Sequence, residues 1–472
     1  CCNLSIMKLG KLYELFATLT PTELRRLEKM VASPFFNQRA DVAQLFRFMV
    51  MHPKGTEMPE KQVAFAAVYP DKPYQDGKWR HLASFLYKLC EQMLVEQELE
   101  KDPLGKNTLL LRALHGRDSS KVVRNTLGAR KRLLDKAEIS NADLHLHRIE
   151  TLRAEMAFSE VRSEKLRGSF QELSGELDVF YVLHKLQLAC AILTHQRLFK
   201  VDYELGMLEE ILAYIHQNQL LAIPEVAVCY DCYRMLAEPE EEGHFFRLKA
   251  KIPATQKLFE PTEARTFYTH LINFCISRIN QGEGPFLREV FEIYQLALPA
   301  GIFLTNGHLS PFTYKNIVSA AIKLGEYAWT ANFIDQFTPQ LPPDKRKEFH
   351  GYNLARLHLA NGEFEAVVRM LNSLHLTDPF SHLDGRIILI KAHFELGEFK
   401  QIEYQLENLK QHLRRKEFMT YHKKSYLAFT RFARRLVNLS PFERLKHAKL
   451  KAEILAAEWI SERDWLIEKI EG

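Results

Sequence analysis

The chain has 472 residues, 46% hydrophobic and 26% charged, with a formal net charge of +5. Such proportions belong to a folded globular chain and exclude a disordered tail, a collagen-like fibre and a small disulfide scaffold. At ~150 residues per domain the length predicts about three domains or one elongated array, and no apolar run reaches the ~18 residues of a membrane span.

Residues 1–6 precede Met7 and are expected to be an upstream extension without a secretory pattern. The cysteines are Cys1, Cys2, Cys90, Cys190, Cys229, Cys232 and Cys275, too sparse for a disulfide framework. Buried thiols of this kind suit a reducing compartment, so a cytoplasmic protein is expected.

Almost every segment has a period near 3.6 residues rather than an alternation. Residues 7–100 are expected to form a helical N-terminal domain, opened by a capping box at Thr20-Pro21-Thr22-Glu23. Leu82, Phe85, Leu86, Leu89, Met93 and Leu94 give one apolar face there. Ala66 through Asp71 with Arg80 through Leu94 resembles the helix-turn-helix of winged-helix regulators, but no β-hairpin pattern follows. A cap or docking domain is therefore the reading. Residues 106–165 predict one or two long, partly exposed connecting helices, with His145 and His147 on the surface. Residues 170–440 alternate helix and turn regularly, and Phe267, Leu271, Phe274 and Ile279 mark one helix. Residues 441–472 predict one capping helix whose apolar face holds Phe442, Leu445, Ala448, Ala452, Leu455, Trp459 and Leu466. No strand is expected, and the fold class is all-α.

A short motif returns three times: Leu324-Gly325-Glu326-Tyr327, Asn361-Gly362-Glu363-Phe364 and Leu396-Gly397-Glu398-Phe399. Each glycine is placed to end a helix in a left-handed turn. Val318, Ala355 and Ile390 stand seven residues before the glycines, and Ile334, Leu371 and Leu406 nine after. With Pro342 and Pro379 at the terminating position, residues 310–415 resemble the tetratricopeptide repeat family, whose period is ~34 residues. Gly351 and Arg386 depart from it, at a position usually large and apolar. The resemblance implies a solenoid of helical hairpins, and its groove positions map onto Lys315, Ser319, Tyr352, Arg356, Lys391 and Phe394. A mixed basic and aromatic groove suits an acidic or C-terminal peptide. Residues 288–325 also resemble one pentatricopeptide repeat, an RNA-reading module that would use Asn316. The neighbouring repeats lack its Thr-Tyr start.

Charge is uneven. Residues 400–451 hold 14 Lys/Arg against 4 Glu, whereas residues 452–472 hold 2 basic and 6 acidic residues. The basic patch so predicted comprises Arg414, Arg415, Lys416, Lys423, Lys424, Arg431, Arg434 and Arg435. It would attract phosphate backbones or an acidic partner.

Motifs that carry chemistry are missing. Cys229-Tyr230-Asp231-Cys232 lacks the second pair a zinc site needs and fits a buried helical face. Gly105-Lys106-Asn107-Thr108 and Gly282-Glu283-Gly284 lack the spacing of a phosphate loop. His358 and His393, each four residues before a repeat glycine, are expected in interhelical packing. The expectation is a non-enzymatic scaffold with no cofactor, metal or membrane partner. It binds protein, with nucleic acid as the alternative partner.

Overall fold

The computed structural model describes residues 10–52, 60–117, 119–158, 165–415, 420–439 and 443–471. Cys1, Cys2, Met7, Lys416 and Phe442 lie outside them. The described chain is all-α apart from one minimal hairpin. It divides into two compact units, Cys1–Tyr181 and Val182–Gly472.

The first unit opens with α1 (Gly10–Thr18), α2 (Pro21–Ala32), α3 (Ala40–Val50), α4 (Lys61–Val68) and α5 (Asp76–Lys101). The capping box at α2 forms as its residues dictate: Glu23 N donates to Thr20 Oγ1 at 3.3 Å, and Thr20 N to Glu23 Oε2 at 2.6 Å. Leu82, Leu86, Leu89 and Met93 of α5 meet Leu12, Leu27, Leu45 and Phe65 in one core. Phe85 stays out of it, under the Arg39 guanidinium at 4.5 Å.

Residues 106–165 form three helices rather than one or two long ones: α6 (Pro103–Leu114), α7 (Ser120–Asp135) and α8 (Ala142–Phe158). With few large apolar side chains, they close around a cation. Arg130 is wholly buried and donates to Thr108 Oγ1 and Thr151 Oγ1, each at 2.6 Å, to His147 O at 3.1 Å and to Glu150 Oε2 at 3.0 Å. The surface reading of His145 is corrected as well. Its ring is buried, with Nδ1 2.6 Å from Glu176 Oε2, because the half-turn between His145 and His147 sends only the latter toward Arg130.

The boundary between the units falls inside α9 (Lys165–Phe199). Contrary to the expectation from apolar runs, Gly168–Phe199 is long and apolar enough to cross a membrane, with a mean hydropathy of 1.4 over its best stretch. Val182, Leu183, Leu186 and Ala189 of this helix are buried in the protein core.

The second unit continues with α10 (Leu208–Gln217), α11 (Pro224–Ala237), α12 (Glu242–Thr255), α13 (Pro261–Asn280) and α14 (Phe286–Ala297). It then runs through α15 (Pro311–Lys323), α16 (Tyr327–Phe337), α17 (Arg346–Ala360), α18 (Phe364–Ser373), α19 (Pro379–Glu395) and α20 (Phe399–Arg415). It ends with α21 (Thr420–Val437), α22 (Arg444–Ala456) and α23 (Arg463–Glu471). The expectation of no strand is wrong at one point. Leu304–Thr305 pairs antiparallel with His308–Leu309 around Asn306-Gly307. Both turn residues have positive φ, which is why Asn-Gly suits such a two-residue turn.

Three hairpins, α15/α16, α17/α18 and α19/α20, turn at the repeat glycines. Gly325, Gly362 and Gly397 have φ of 75°, 78° and 70°. Each turn closes two bonds in the Schellman pattern: at the second, Gly362 N donates to Leu359 O and Glu363 N to His358 O, at 3.2 and 2.9 Å. The repeat positions Val318, Ala355, Ile390, Ile334, Leu371 and Leu406 are all buried. Gly282 makes the same turn between α13 and α14, with φ 94° and Glu283 N donating to Arg278 O at 3.0 Å.

The glutamate of the motif also has a use. Glu363 and Glu398 reach back to His358 and His393, at 2.5 and 2.6 Å, and Glu283 accepts from Arg278 at 2.7 Å. Side chains four before and one after each glycine are thus joined across the turn. The first repeat has Ala321 in the earlier place, and Glu326 instead accepts from Arg288 at 2.7 Å.

The C-terminal segment is two helices rather than one. A turn with Glu462 in the left-handed region separates them, and the break rotates the apolar face. Leu450, Ile454, Leu466 and Ile470 join the core of α19–α21, while Leu445, Leu455 and Trp459 of the predicted face are exposed.

Replacing Gly362 by Ala should lower stability by about 1–2 kcal/mol, the cost of a Cβ in the left-handed region. Chemical denaturation of the two proteins measures it, and an unchanged midpoint would remove the turn from the account.

Candidate functional site

The first helices of the three hairpins, α15, α17 and α19, carry the predicted groove residues. Their neighbours on α21 and α23 decide what those residues do. Asp384 of α19 is the focus. Its Oδ2 accepts from Lys315 Nζ at 2.8 Å and from the Tyr352 hydroxyl at 3.2 Å, and its Oδ1 from the Tyr426 hydroxyl at 2.6 Å. Burial, followed by the Asp384 charge, pushes both phenols well above their ordinary range. Both therefore remain donors to the carboxylate.

Two cations stand over the Tyr352 ring. The Lys315 ammonium is 5.2 Å from its centroid and the Arg356 guanidinium 5.7 Å. Arg356 is held by neutral acceptors only, Lys315 O and Asn353 Oδ1, both at 3.4 Å. Among the described residues it makes no ion pair. Ser319 turns back on its own helix, donating to Lys315 O at 2.7 Å.

The structure therefore brings Lys315, Ser319, Tyr352 and Arg356 together but corrects their roles. Tyr352 is a buried member of the core rather than a groove wall, because Asp384 offers its hydroxyl an internal acceptor. Lys391 and Phe394 are covered by the chain itself. Lys391 pairs with Glu462 and lies 5.6 Å from the Trp465 ring, which meets Phe394 edge-on at 5.4 Å. Residues missed at the sequence level are Asp384, Tyr426, Glu462 and Trp465. Only Asp384 left a signal: thirteen residues before Gly397, it stands where the sister repeats have Phe312 and Phe349.

The basic patch is smaller than composition suggested. Arg434 pairs with Glu403 at 2.8 Å, and Arg435 with Glu453 through a bond of 3.1 Å. The acidic residues of α20 and α22 neutralise these two. Arg414, Lys424 and Arg431 are exposed and Lys423 half-buried, and none of the four pairs with a described carboxylate. The Arg431 guanidinium lies 4.4 Å from the Phe432 ring. Arg415 ends α20.

The cysteine pair of α11 is buried. Cys190 Sγ on α9 donates to Cys232 Sγ at 3.8 Å, and this contact with burial raises the Cys232 thiol well above its ordinary value. Burial does the same to Cys229. Thiols so held are poor nucleophiles. Asp231 between them binds Arg247 and Lys251, at 3.1 and 2.6 Å. Among the described residues no group of three His, Cys, Asp or Glu side chains is placed to hold a metal ion.

No known family, curated protein or solved structure matches this chain.

Removing the Asp384 carboxylate strands a half-buried ammonium and two phenols. Asp384→Ala should cost about 2–3 kcal/mol, read from the denaturation midpoint. Asp384→Asn, which keeps an acceptor, should cost less. Equal losses would show that the charge matters little.

Proposed function

We propose that the chain is a non-enzymatic helical-repeat scaffold of the tetratricopeptide-like kind. It binds an acidic protein segment along α15, α17 and α19. One observation carries this reading: the cations of this face take up carboxylates that arrive from elsewhere in the sequence. Lys315 takes Asp384, and Lys391 takes Glu462, with Trp465 of the same segment packed on Phe394. An acidic residue and an aromatic three positions later is thus a sequence this face accommodates in its own chain. Arg356, without an ion pair, is the cation left for a partner's carboxylate. The five internal cysteines are buried free thiols, in keeping with a reducing compartment such as the cytoplasm.

The reading is tested by affinity capture from nuclease-treated lysate, using the wild-type chain and Arg356→Glu. Protein partners should survive nuclease and be lost from the variant, while its circular dichroism is unchanged. Equal capture by the two baits places docking elsewhere.

A second reading rests on the four cations Arg414, Lys423, Lys424 and Arg431, which have no described carboxylate partner. They would suit a nucleic-acid backbone. Four phosphate contacts predict that affinity for a single-stranded oligonucleotide falls roughly 50-fold between 50 and 200 mM salt. Absent binding at low salt, or a flat salt dependence, rules this out.

A further inference from the structure

A cleft of about 680 Å³ lies between α18, α19 and α20, away from the Asp384 cluster. Its size falls in the range of small-molecule sites. Its polar lining includes Arg386, His375, His382, His412, Asn372 and Asn408, and none of the described residues that line it is an aspartate or glutamate. The Asp384 cluster differs from it, because there Lys315 meets a carboxylate.

Arg386 is one of the two departures from the repeat pattern. In the sister hairpins Tyr314 and Gly351 hold its place. Its guanidinium is half-buried and held by neutral groups alone: Nε donates to His382 Nε2 at 3.1 Å and Nη1 to Gln405 Oε1 at 3.0 Å. The His382 ring is in turn stacked on His412, with centroids 4.4 Å apart. Burial draws the guanidinium below its ordinary value, and the opposing influence comes from Tyr404, not from a carboxylate. A cation aimed in this way and left without a counter-charge is costly to the fold.

The other wall is held in place. Glu348 accepts from the backbone N–H of Thr377 and Asp378, at 2.8 and 2.9 Å, and pins the loop between α18 and α19. Leu376 of that loop sits against Gly385, where a Cβ would approach it to 2.6 Å. The other departure, Gly351, similarly makes room for Leu374. Both exceptions to the repeat pattern in α17 and α19 therefore serve the walls of this cleft.

We propose that this cleft binds a small phosphomonoester, with Arg386 gripping the phosphate group. The planar guanidinium fork matches phosphate oxygens. Asn372 and Asn408 supply neutral donors for further oxygens. The volume exceeds what a bare ion needs, and Leu371, Leu374, Leu389 and Tyr404 line space for an organic group.

Calorimetry on the full chain at low ionic strength, with phenyl phosphate, inorganic phosphate and benzoate as probes, tests this. Phenyl phosphate should bind with one-to-one stoichiometry, inorganic phosphate more weakly and benzoate weakest. Arg386→Met, which restores an apolar residue, should weaken phenyl phosphate binding by about 10- to 100-fold. Its thermal midpoint without ligand should equal or exceed that of the wild type, since an uncompensated cation is gone. If that variant does not fold, Arg386→Lys, which keeps the charge but loses the fork, carries the test through a weaker affinity. The proposal is overturned by absent binding to the wild type, by unchanged affinity in whichever variant folds, or by benzoate binding as tightly as phenyl phosphate.

Discussion

The ends of the first helices in the repeated hairpins impose the constraint on which the rest of the second unit depends. A helix leaves its last carbonyls without partners, and a chain that must reverse at once has only a few ways to satisfy them. Gly282, Gly325, Gly362 and Gly397 do so with the same left-handed turn. The glutamate that follows adds a side-chain tie back to His358, His393 or Arg278. With the turn fixed, the azimuth of the following helix is fixed too. Ile334, Leu371 and Leu406 of the following helices then fall inside with Val318, Ala355 and Ile390 of the first helices, which carry Lys315, Arg356 and Lys391.

Charge is handled by internal pairing across long stretches of sequence. Asp384 gathers Lys315, Tyr352 and Tyr426, and the acidic C-terminal helices neutralise part of the basic stretch that precedes them. Pairs at exposed positions contribute little to stability. Their consequence is selection: they decide which cations remain for a partner. After that selection Arg356 remains on the repeat face and Arg386 in the cleft, with Arg414, Lys423, Lys424 and Arg431 around α20 and α21.

Sequence reasoning succeeded where the physical signal is local. The capping box at Thr20, the three glycine turns and the apolar positions around them all depend on residues within one or two turns. It failed where a local signal was compared with the wrong template. Gly282-Glu283-Gly284 is compared only with a phosphate loop, which it does not match, yet its Gly282 carries the repeat turn with Arg278 in the place of His358. Asn306-Gly307 is an ordinary hairpin signal, but the strands it joins are only two residues each. The terminal helix was assigned one apolar face because nothing in the spacing of Leu445, Leu455 and Trp459 reveals a left-handed residue at Glu462.

By itself the sequence determined an all-α chain, the place of the turns at Gly325, Gly362 and Gly397 and the uneven charge, because helix periodicity and glycine conformational freedom act over a few residues. Tertiary structure alone decided that Tyr352 is buried, that Glu462 and Trp465 cover Lys391 and Phe394, and that Arg386 faces a cleft without a carboxylate among its described lining residues. Lys315 and Asp384 are 69 residues apart and Lys391 and Glu462 are 71 apart. No periodicity within a helix encodes such a meeting. It follows from how successive hairpins pack, and packing is settled by the shapes of all the side chains at once.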